Sequence, residues 1–244
     1  MTAEYPNVTC IILDIEGTVC PISFVKNQLF PYFLQQLPET LAGVSFPLNS
    51  ASDDPVVKIL YGFLADVRVS SEVLEAHITG LVSNDVKDAT LKSLQGYVWQ
   101  TGYDNGSIIA PLFTDAVHAI KTWTADKRVY IYSSGSVPAQ KLLFLHVAAT
   151  NEEGQEDLTP YLSGYYDITT SGHKQEKSSY ENIIKHIGVK GSNALFLSDN
   201  VNEVRAAIAA GLRASIVIKP GNYDLTEEEK ASYPIVRDFD ELKL

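Results

Sequence analysis

Cysteine is scarce in this sequence, with only Cys10 and Cys20 among 244 residues. Two cysteines do not support a disulfide framework, so we expect a reducing compartment such as the cytoplasm. Long apolar runs are also missing, and none approaches the roughly 18 to 20 residues that span a bilayer. The first ten residues contain an acidic residue and no basic stretch, so we expect no secretory signal peptide.

Basic residues are few, because 19 lysines and arginines stand against 30 aspartates and glutamates, and the formal net charge is -11. Such a surface repels nucleic acid and anionic membranes, so we expect neither as a partner. An anionic small molecule would have to be held by local cations. The hydrophobic fraction of 45% and the charged fraction of 20% exclude a disordered chain, a collagen and a coiled coil.

Four short apolar runs predict strands that are buried on both faces of a parallel sheet. They cover residues 8–15, 128–132, 194–197 and 214–218. Helical patterns alternate with them at residues 139–147, 179–187 and 204–210, and Gly188 and Gly211 stand where helix C-caps are expected. This alternation predicts βαβ units and a doubly wound, Rossmann-like α/β fold with a parallel sheet.

One stretch interrupts the alternation, because residues 22–108 contain helical patterns and no convincing strand. Asp54 and Pro55 are typical of a helix start, and an apolar face at i, i+3, i+4 spacing follows: Val56, Ile59, Leu60, Phe63, Leu64 and Val67. We therefore predict a core of residues 1–21 and 109–244 with an inserted helical cap of residues 22–108. The alternative is a set of extra helices packed flat on the core.

The strongest chemical signal is a pair of acids, Asp14 and Glu16, directly after the first predicted strand and followed by Gly17 and Thr18. In open α/β sheets, ligands bind beyond the carboxyl ends of the strands. Two carboxylates and a glycine at that edge suit a cation and an anion together. The alternative is a surface turn with two solvated acids. A buried strand that runs directly into paired acids argues against that alternative.

A second acidic cluster follows another predicted strand, where Asp199 comes first and Glu203 one helical turn later. Asp199 or Asn200 could also cap the helix that follows, and both roles are compatible. Carboxylates at two strand ends supply the hard oxygen ligands that Mg²⁺ takes, with water completing the octahedron. The candidate ligands are Asp14, Glu16 and Asp199, with Glu203 as an additional one.

Two weaker segments lie between these clusters. Ser133 and Ser134 end the second predicted strand, and their hydroxyls and the N–H of Gly135 could cradle an anion ahead of a helix. Such Ser-Gly turns are common, and Lys174 is by default a solvated lysine. Neither segment indicates a function by itself, and they become informative only because they occur in a fixed order between the two acidic strand ends.

That order resembles the haloacid dehalogenase-like hydrolase superfamily, whose four motifs correspond to Asp14/Glu16, Ser133, Lys174 and Asp199/Glu203. A finer resemblance is to the enolase-phosphatase family of the methionine salvage pathway. It is carried by the stretches LDIEGTVCPISFVKNQLFPYF, VYIYSSGSVPAQKLLF, SGHK and LFLSDN. Glutamate at the second acidic position, here Glu16, is characteristic of that family. The helical insertion also stands where its cap does, so the resemblance implies a haloacid dehalogenase-like core.

The resemblance implies roles for the acids. Asp14 would be the nucleophile and form an aspartyl-phosphate. Glu16 would be the general acid and base, protonating the leaving oxygen and then activating water. One Mg²⁺ per subunit would be bound by the carboxylates of Asp14 and Asp199 and by the backbone carbonyl of Glu16. The metal would offset the repulsion between an anionic nucleophile and a phosphate dianion.

The resemblance also implies how the substrate is held. Lys174 would act with the metal, and Ser133 and Ser134 would bind the phosphate oxygens. Glu203 would orient Lys174 or a metal-bound water, with Gly17 and Thr18 in support. The substrate would be 2,3-diketo-5-methylthiopentyl 1-phosphate, a phosphorylated diketone that is enolised and then dephosphorylated to an acireductone. We expect a monomer in the cytoplasm, with the nucleus as a second location.

Three alternatives stay open at this point. A haloacid dehalogenase would use Asp14 on carbon and would need neither a second acid nor a metal, so Glu16 and Asp199 count against it. A phosphatase or phosphomutase of sugar phosphates would share the core motifs, because specificity lies in the cap. A non-catalytic binding protein on the same scaffold would not need the complete set of catalytic positions. The sequence identifies neither the base for enolisation nor the cap residues that hold the diketone.

Overall fold

The computed structural model describes residues 4–150 and 154–244. Its strands are β1 (Cys10–Leu13), β2 (Arg128–Tyr132), β3 (Val147–Ala148), β4 (Gln155–Glu156), β5 (Gly164–Tyr166), β6 (Ala194–Ser198), β7 (Arg213–Val217) and β8 (Ile235–Val236). Six of them form a parallel sheet in the order β5-β2-β1-β6-β7-β8, and β3 and β4 form a separate antiparallel pair. This arrangement confirms the predicted doubly wound α/β fold.

Burial on both faces explains why the central strands are continuous apolar runs. In β1 every residue is buried, and Ile12 lies in register with Tyr130 of β2 and with Phe196 of β6. The four strands predicted from the sequence are β1, β2, β6 and β7, which are the four inner strands of the sheet. A continuous apolar run is therefore a dependable signal where neighbours and helices cover a strand from all sides.

The helices are α1 (Phe30–Ala42), α2 (Pro55–Leu60), α3 (Ser71–Ser83), α4 (Ala89–Asp104), α5 (Thr114–Trp123), α6 (Val137–Leu145), α7 (Lys177–Ile187), α8 (Val201–Ala209) and α9 (Glu227–Ser232). A π-helical turn covers Val25–Leu29, and 3₁₀ turns cover Thr159–Tyr161, Gly191–Asn193 and Phe239–Glu241. Several caps follow from the local sequence. The Asp54 side chain accepts the N–H of Val56, and Gly188 ends α7 in the left-handed conformation with φ of 75°.

The chain divides into two compact units, Met1–Phe24 with Ile109–Leu244 and Val25–Ile108. The first unit contains the parallel sheet and α5 to α9, and the second contains α1 to α4. Within the second unit, the Trp99 indole N–H donates to the Leu29 carbonyl (2.9 Å) and so ties α4 to the π-helical turn. The first boundary lies three residues after the one predicted at residue 21.

The predicted helix after Asp54 is wrong in its extent. Its apolar face was expected to continue to Val67, but α2 ends at Leu60 and Leu64 is 72% exposed. Glycine at position 62 disfavours a helix. A Cβ atom there would also lie 2.7 Å from Thr90 Oγ1. The chain therefore leaves the helix at a point where it passes close to another segment of the same unit.

Both outermost strands of the sheet, β5 and β8, were not predicted from the sequence. They have three and two residues, and β8 directly follows Pro234. Segments this short show no alternation of apolar and polar residues. They form strands because β2 and β7 each have an edge with free backbone hydrogen-bonding groups. Among the described residues, no helix combines the length and the apolar character that crossing a membrane requires.

Candidate active site

Three predicted site segments lie at one edge of the sheet. Asp14 follows β1, Ser133 follows β2, and Asp199 follows β6. These strands are parallel neighbours, so their carboxyl ends meet at the same edge. The pairing of β1 with β6 continues to the site itself, because the Asp14 N–H donates to the Leu197 carbonyl (3.0 Å).

Lys174 forms a buried ion-pair cluster with two carboxylates at this edge. Its Nζ contacts Asp14 Oδ1 and lies 2.7 Å from Glu203 Oε2. The three residues are only 5% to 8% exposed. Removing charges from water is costly unless they are paired, so the two buried carboxylates depend on the Lys174 ammonium. The structure thus brings together residues of three motifs that are far apart in the sequence.

The charged groups in this cluster shift one another's pKa values. Burial acts to lower the pKa of Lys174, but the Asp14 and Glu203 charges outweigh it, and the pKa lies above the ordinary lysine value. Lys174 is therefore an ammonium at neutral pH. Burial raises the pKa of Glu203, and the Asp14 charge adds to the rise, while Lys174 and a hydrogen bond from Ser198 oppose it.

Ser198, the last residue of β6, connects the two acids. Its Oγ lies 2.9 Å from both Asp14 Oδ2 and Glu203 Oε2, and it accepts the N–H of Asn200 (3.1 Å). A hydroxyl has one proton, so Ser198 can donate to one of the carboxylates at a time. It therefore holds the nucleophile candidate and its acidic neighbour in fixed relative positions.

Asp199 lies beside this cluster and is tied to the loop after β1. Its N–H donates to Thr18 Oγ1 (3.0 Å). Burial raises the pKa of Asp199 to about 7, and the negative charges of Asp14 and Glu203 act in the same direction. Asp199 thus shares a buried space with two other acids, and Lys174 balances only part of their charge.

Gly17 lets the loop after β1 pass close to Asp199. Its φ is 73°, a conformation that favours glycine, and a Cβ atom there would lie 2.6 Å from Asp199 Cγ. Asn222 holds the same turn from the other side, because its Nδ2 donates to the carbonyls of Gly17 (2.8 Å) and Val217 (3.3 Å). The position therefore requires glycine for both conformation and space.

Glu16 is half-buried and its backbone forms a bridge with Cys20. The Gly17 N–H closes this turn by donating to the Cys20 carbonyl (2.8 Å). Burial raises the pKa of the Cys20 thiol, and the Glu16 charge raises it further. Cys20 is therefore a neutral thiol at physiological pH and is not suited to act as a nucleophile.

Ser133 begins the loop between β2 and α6. It is buried, its N–H donates to the Tyr166 carbonyl (3.1 Å), and its Oγ accepts the N–H of Gly135 (3.3 Å). Ser134 is exposed, and Ser136 is the N-cap of α6. The structure thus places Ser133 at the sheet edge that also carries Asp14, and Ser134 at the surface of the loop.

Two residues that the sequence analysis missed brace this loop. Asp167 Oδ2 accepts the N–H of Val137 (3.1 Å) at the start of α6. Gln140 Nε2 donates to the carbonyls of Gly135 (2.8 Å) and Tyr166 (2.9 Å). Asp167 directly follows β5, so recognition of that strand would have marked it as another polar residue at the carboxyl edge.

Ser198 and Asn222 were also missed as site residues. Ser198 stands directly before Asp199, and a serine at the end of a buried strand is a signal that could have been used. Asn222 follows Pro220 and Gly221 in the turn after β7. An asparagine there is typical of a turn, and nothing in the sequence indicates that it contacts Gly17.

The model of the haloacid dehalogenase-like hydrolase family matches residues 8–211 of this chain. Enolase-phosphatase E1 of Debaryomyces hansenii is 52% identical, and the alignment covers 97% of each chain. Enolase-phosphatase E1 of Candida tropicalis is 46% identical, over 97% of this chain and 99% of the relative. These similarities extend through both units of the structure and confirm the resemblance found in the sequence.

Solved structures agree with this relationship. The crystal structure of the UTR4 protein of Saccharomyces cerevisiae superposes with a TM-score of 0.85 at 47% identity, covering 96% of this chain and 99% of that one. The CbbY protein of Rhodobacter sphaeroides has a TM-score of 0.56 at 17% identity over 97% of this chain, which shows a shared fold. The chain belongs to the haloacid dehalogenase-like hydrolases and, among them, to the enolase-phosphatase E1 family.

Proposed function

We propose that the protein is an Mg²⁺-dependent enolase-phosphatase of methionine salvage. It would enolise 2,3-diketo-5-methylthiopentyl 1-phosphate and then remove the phosphate, which yields the acireductone 1,2-dihydroxy-3-keto-5-methylthiopentene. The observation that carries this proposal is the buried cluster of Asp14, Lys174 and Glu203 at the carboxyl edge of the parallel sheet. The names of the yeast relatives support the two-step activity.

Asp14 is the proposed nucleophile. Its Oδ1 accepts the N–H of Ile15 (2.7 Å) and contacts Lys174, and its Oδ2 lies 2.9 Å from the Ser198 hydroxyl oxygen. These contacts hold the carboxylate in one orientation for attack on phosphorus, and the new P–O bond replaces the bond to the leaving oxygen. Glu16 then protonates the leaving oxygen and later takes a proton from the water that hydrolyses the aspartyl-phosphate.

Lys174 and the two serines are the proposed phosphate-binding groups. The Lys174 ammonium is held beside Asp14, so it can offset the charge of a phosphoryl group bound there. Ser133 offers its hydroxyl at the same sheet edge, and Ser134 belongs to the loop that precedes the N-terminus of α6. Glu203 would keep Lys174 in place through their 2.7 Å ion pair.

The site residues fit a divalent cation. Asp14, Glu203 and Asp199 form a cluster in which the pKa of Asp199 rises to about 7 because of burial and the nearby negative charges. Asn222 Oδ1 is buried close to Asp199 without a hydrogen-bond partner among the described residues. Both observations indicate an environment that would be stabilised by added positive charge or by a donor such as bound water.

Asp14 and Asp199 would hold Mg²⁺ through their carboxylates, together with the backbone carbonyl of Glu16. Within the described ranges, no three His, Cys, Asp or Glu side chains are already arranged as a metal site. Mg²⁺ tolerates this, because it usually keeps several waters and takes few carboxylates. When bound, the ion would supply electrophilic stabilisation of the phosphoryl oxygens.

Gly17→Ala is expected to weaken Mg²⁺ binding by at least about tenfold, because its Cβ would displace the Asp199 carboxylate and a tenfold loss needs only about 1.4 kcal/mol. Isothermal titration calorimetry measures the affinity. Gly188→Ala is the matched control, since Gly188 has a similar φ of 75° and nothing within 4 Å of the added Cβ. Both variants carry backbone strain of about 1–2 kcal/mol, and only Gly17→Ala should lose metal affinity. Equal affinities in the two variants would contradict the proposed role of Asp199.

The diketone substrate tests the enolase half of the proposal. The wild-type protein is expected to give an absorbance rise as the conjugated enol forms, followed by phosphate release. Glu16→Gln should block phosphate release, since the leaving oxygen loses its acid and the attacking water its base. Stopped-flow absorbance and a phosphate assay follow the two events separately. The effect of Glu16→Gln on the absorbance rise tells whether Glu16 is also the base for enolisation.

Two outcomes would contradict this assignment. If sugar phosphates are hydrolysed with a higher kcat/KM than the diketone, the protein is a general phosphatase of this fold. If phosphate is released from the diketone phosphate without an enol intermediate or an acireductone product, the protein is a phosphatase and the proposed enolase activity is wrong. The expected monomeric state and the cytoplasmic or nuclear location stay predictions, to be measured by sedimentation and by imaging of the tagged protein.

A further inference from the structure

Three side-chain hydroxyls bind the three consecutive carbonyls that end at Lys174. The Tyr132 hydroxyl donates to the Gly172 carbonyl (2.7 Å) and the Ser179 hydroxyl to that of His173 (2.7 Å). The Tyr180 hydroxyl donates to the carbonyl of Lys174 itself (2.7 Å). We call Tyr132, Ser179 and Tyr180 the hydroxyl cradle. It fixes the main chain at the residue that contacts the proposed nucleophile.

The residues of the hydroxyl cradle lie in the interior of the first unit, which contains the parallel sheet. Tyr132 is the last residue of β2, while Ser179 and Tyr180 belong to the first turn of α7, and all three are fully buried. The Tyr180 ring packs edge-on against Tyr132 and Phe196, with centroid distances of 5.6 Å and 5.0 Å. These contacts fix both rings and thereby the positions of the two phenol oxygens.

The segment before Lys174 is shaped to approach the cradle closely. Gly172 has a φ of 108°, and a Cβ atom there would lie 2.6 Å from Ser179 Oγ. A residue other than glycine would therefore push the chain away from Ser179. Burial raises the pKa of Tyr132 to about 12 and also raises the pKa of Tyr180, so both phenols keep the protons that they donate.

The Lys174 side chain is flexible by nature and acts here as a fixed charge. Its Nζ is held by Asp14 and Glu203 at one end, and it lies 5.9 Å from the centroid of the Tyr132 ring. A lysine side chain loses considerable rotamer entropy when it is fixed in one position. Anchoring the backbone as well as the ammonium reduces the number of positions that the charge can take.

We propose that Tyr132 and Tyr180 are positioning residues for phosphoryl transfer, which act by fixing the main chain of Lys174 through their hydroxyls. This inference rests on the proposed function, in which the Lys174 ammonium stabilises charge in the transition state. Lys174 is also one of the proposed phosphate-binding groups, so mispositioning of its charge raises KM, but it lowers kcat more because the ammonium offsets the charge that develops as Asp14 attacks.

Tyr132→Phe and Tyr180→Phe remove one hydroxyl each and keep the ring. Each is expected to lower kcat for phosphate release from the diketone phosphate by about tenfold, with a smaller rise in KM. Tyr5→Phe is the matched control, since it also deletes a buried phenol oxygen, one bonded to Ser215 Oγ. It should lower the melting temperature by a similar amount and leave kcat unchanged.

A double-mutant cycle separates positioning of Lys174 from a general loss of structure. In a Lys174→Ala background, measured by single-turnover phosphate release, Tyr180→Phe should cause no further loss, whereas independent effects would add. Ser179→Ala, which frees the His173 carbonyl, provides a second route if a tyrosine variant folds poorly. The inference is overturned if both Tyr→Phe variants keep wild-type kcat, or if their effect is the same with and without Lys174. A Lys174→Ala protein with wild-type kcat would overturn the proposed role of Lys174 and this inference together.

Discussion

Asp14→Asn is expected to reduce phosphate release by at least about 10³-fold while the protein stays folded. Asparagine has nearly the same shape but is a poor nucleophile, so the aspartyl-phosphate cannot form. The contacts of Asp14 can be kept, because an amide oxygen can accept from Ile15 and Lys174 while the amide NH₂ faces Ser198 Oγ. Ser198 is then free to donate to Glu203. Steady-state phosphate release on the diketone and on a generic phosphate monoester measures the effect.

The thermal stability of Asp14→Asn provides the control for this experiment. The substitution removes one negative charge from a cluster in which burial and like charges already raise the pKa values of Asp199 and Glu203. We therefore expect the metal-free variant to melt no lower than the metal-free wild type. Wild-type turnover by Asp14→Asn, or by the wild type in excess EDTA, would contradict the proposed mechanism.

Lys174→Ala is expected to lower kcat by about 10²–10³-fold, the loss typical of removing one transition-state charge partner. It should also destabilise the protein by about 3–5 kcal/mol, since it leaves buried Asp14 and Glu203 without their cation.

The stability of Lys174→Ala should also depend on pH. The pKa of Glu203 is already raised by burial, and loss of the ammonium raises it further. The folded variant then binds protons more tightly than the unfolded chain, so its stability falls as the pH rises. The difference in melting temperature from the wild type should therefore shrink toward acidic pH.

Lys177→Ala is the matched control, because this lysine is three residues away in the sequence and its surroundings differ. Lys177 is exposed and pairs with Glu181 (2.9 Å) on the surface of α7. Exposed pairs of this kind contribute about 0.3–0.5 kcal/mol. We expect kcat within about twofold of the wild type and nearly the same melting temperature. If Lys177→Ala is the more damaged variant, Lys174 is not the lysine of the third motif.

The central part of the fold was predictable from apolar runs. The strands β1, β2, β6 and β7 are buried on both faces, so nearly every residue in them is apolar and each strand is a continuous apolar run in the sequence. Their parallel arrangement follows from the helices between them. Since all their carboxyl ends face the same way, the acids after β1 and β6 could be assigned to one edge before any coordinates were known.

The peripheral elements were less predictable. Edge strands β5 and β8 consist of three and two residues, and neither segment contains a pattern of its own. Helix α2 ends at Leu60 although the apolar spacing continues beyond it. Glycine at position 62 disfavours a helix, and the chain there passes close to Thr90. Asp167 was missed for the same reason as β5, since its position is defined by the strand that precedes it.

The identities and order of Asp14, Glu16, Ser133, Lys174 and Asp199 are properties of the sequence, and they were enough to indicate a haloacid dehalogenase-like hydrolase and its enolase-phosphatase branch. The contacts that make these residues a site depend on the tertiary structure. Ser198 joins Asp14 and Glu203 because β1 and β6 are neighbours. The segment between β5 and α7 brings Lys174 to the same two acids. The raised pKa of Asp199 arises from burial and from charges of residues distant in the chain. Local sequence sets which strands and turns form, whereas Coulomb interactions and desolvation depend on distances that exist only after the sheet has assembled.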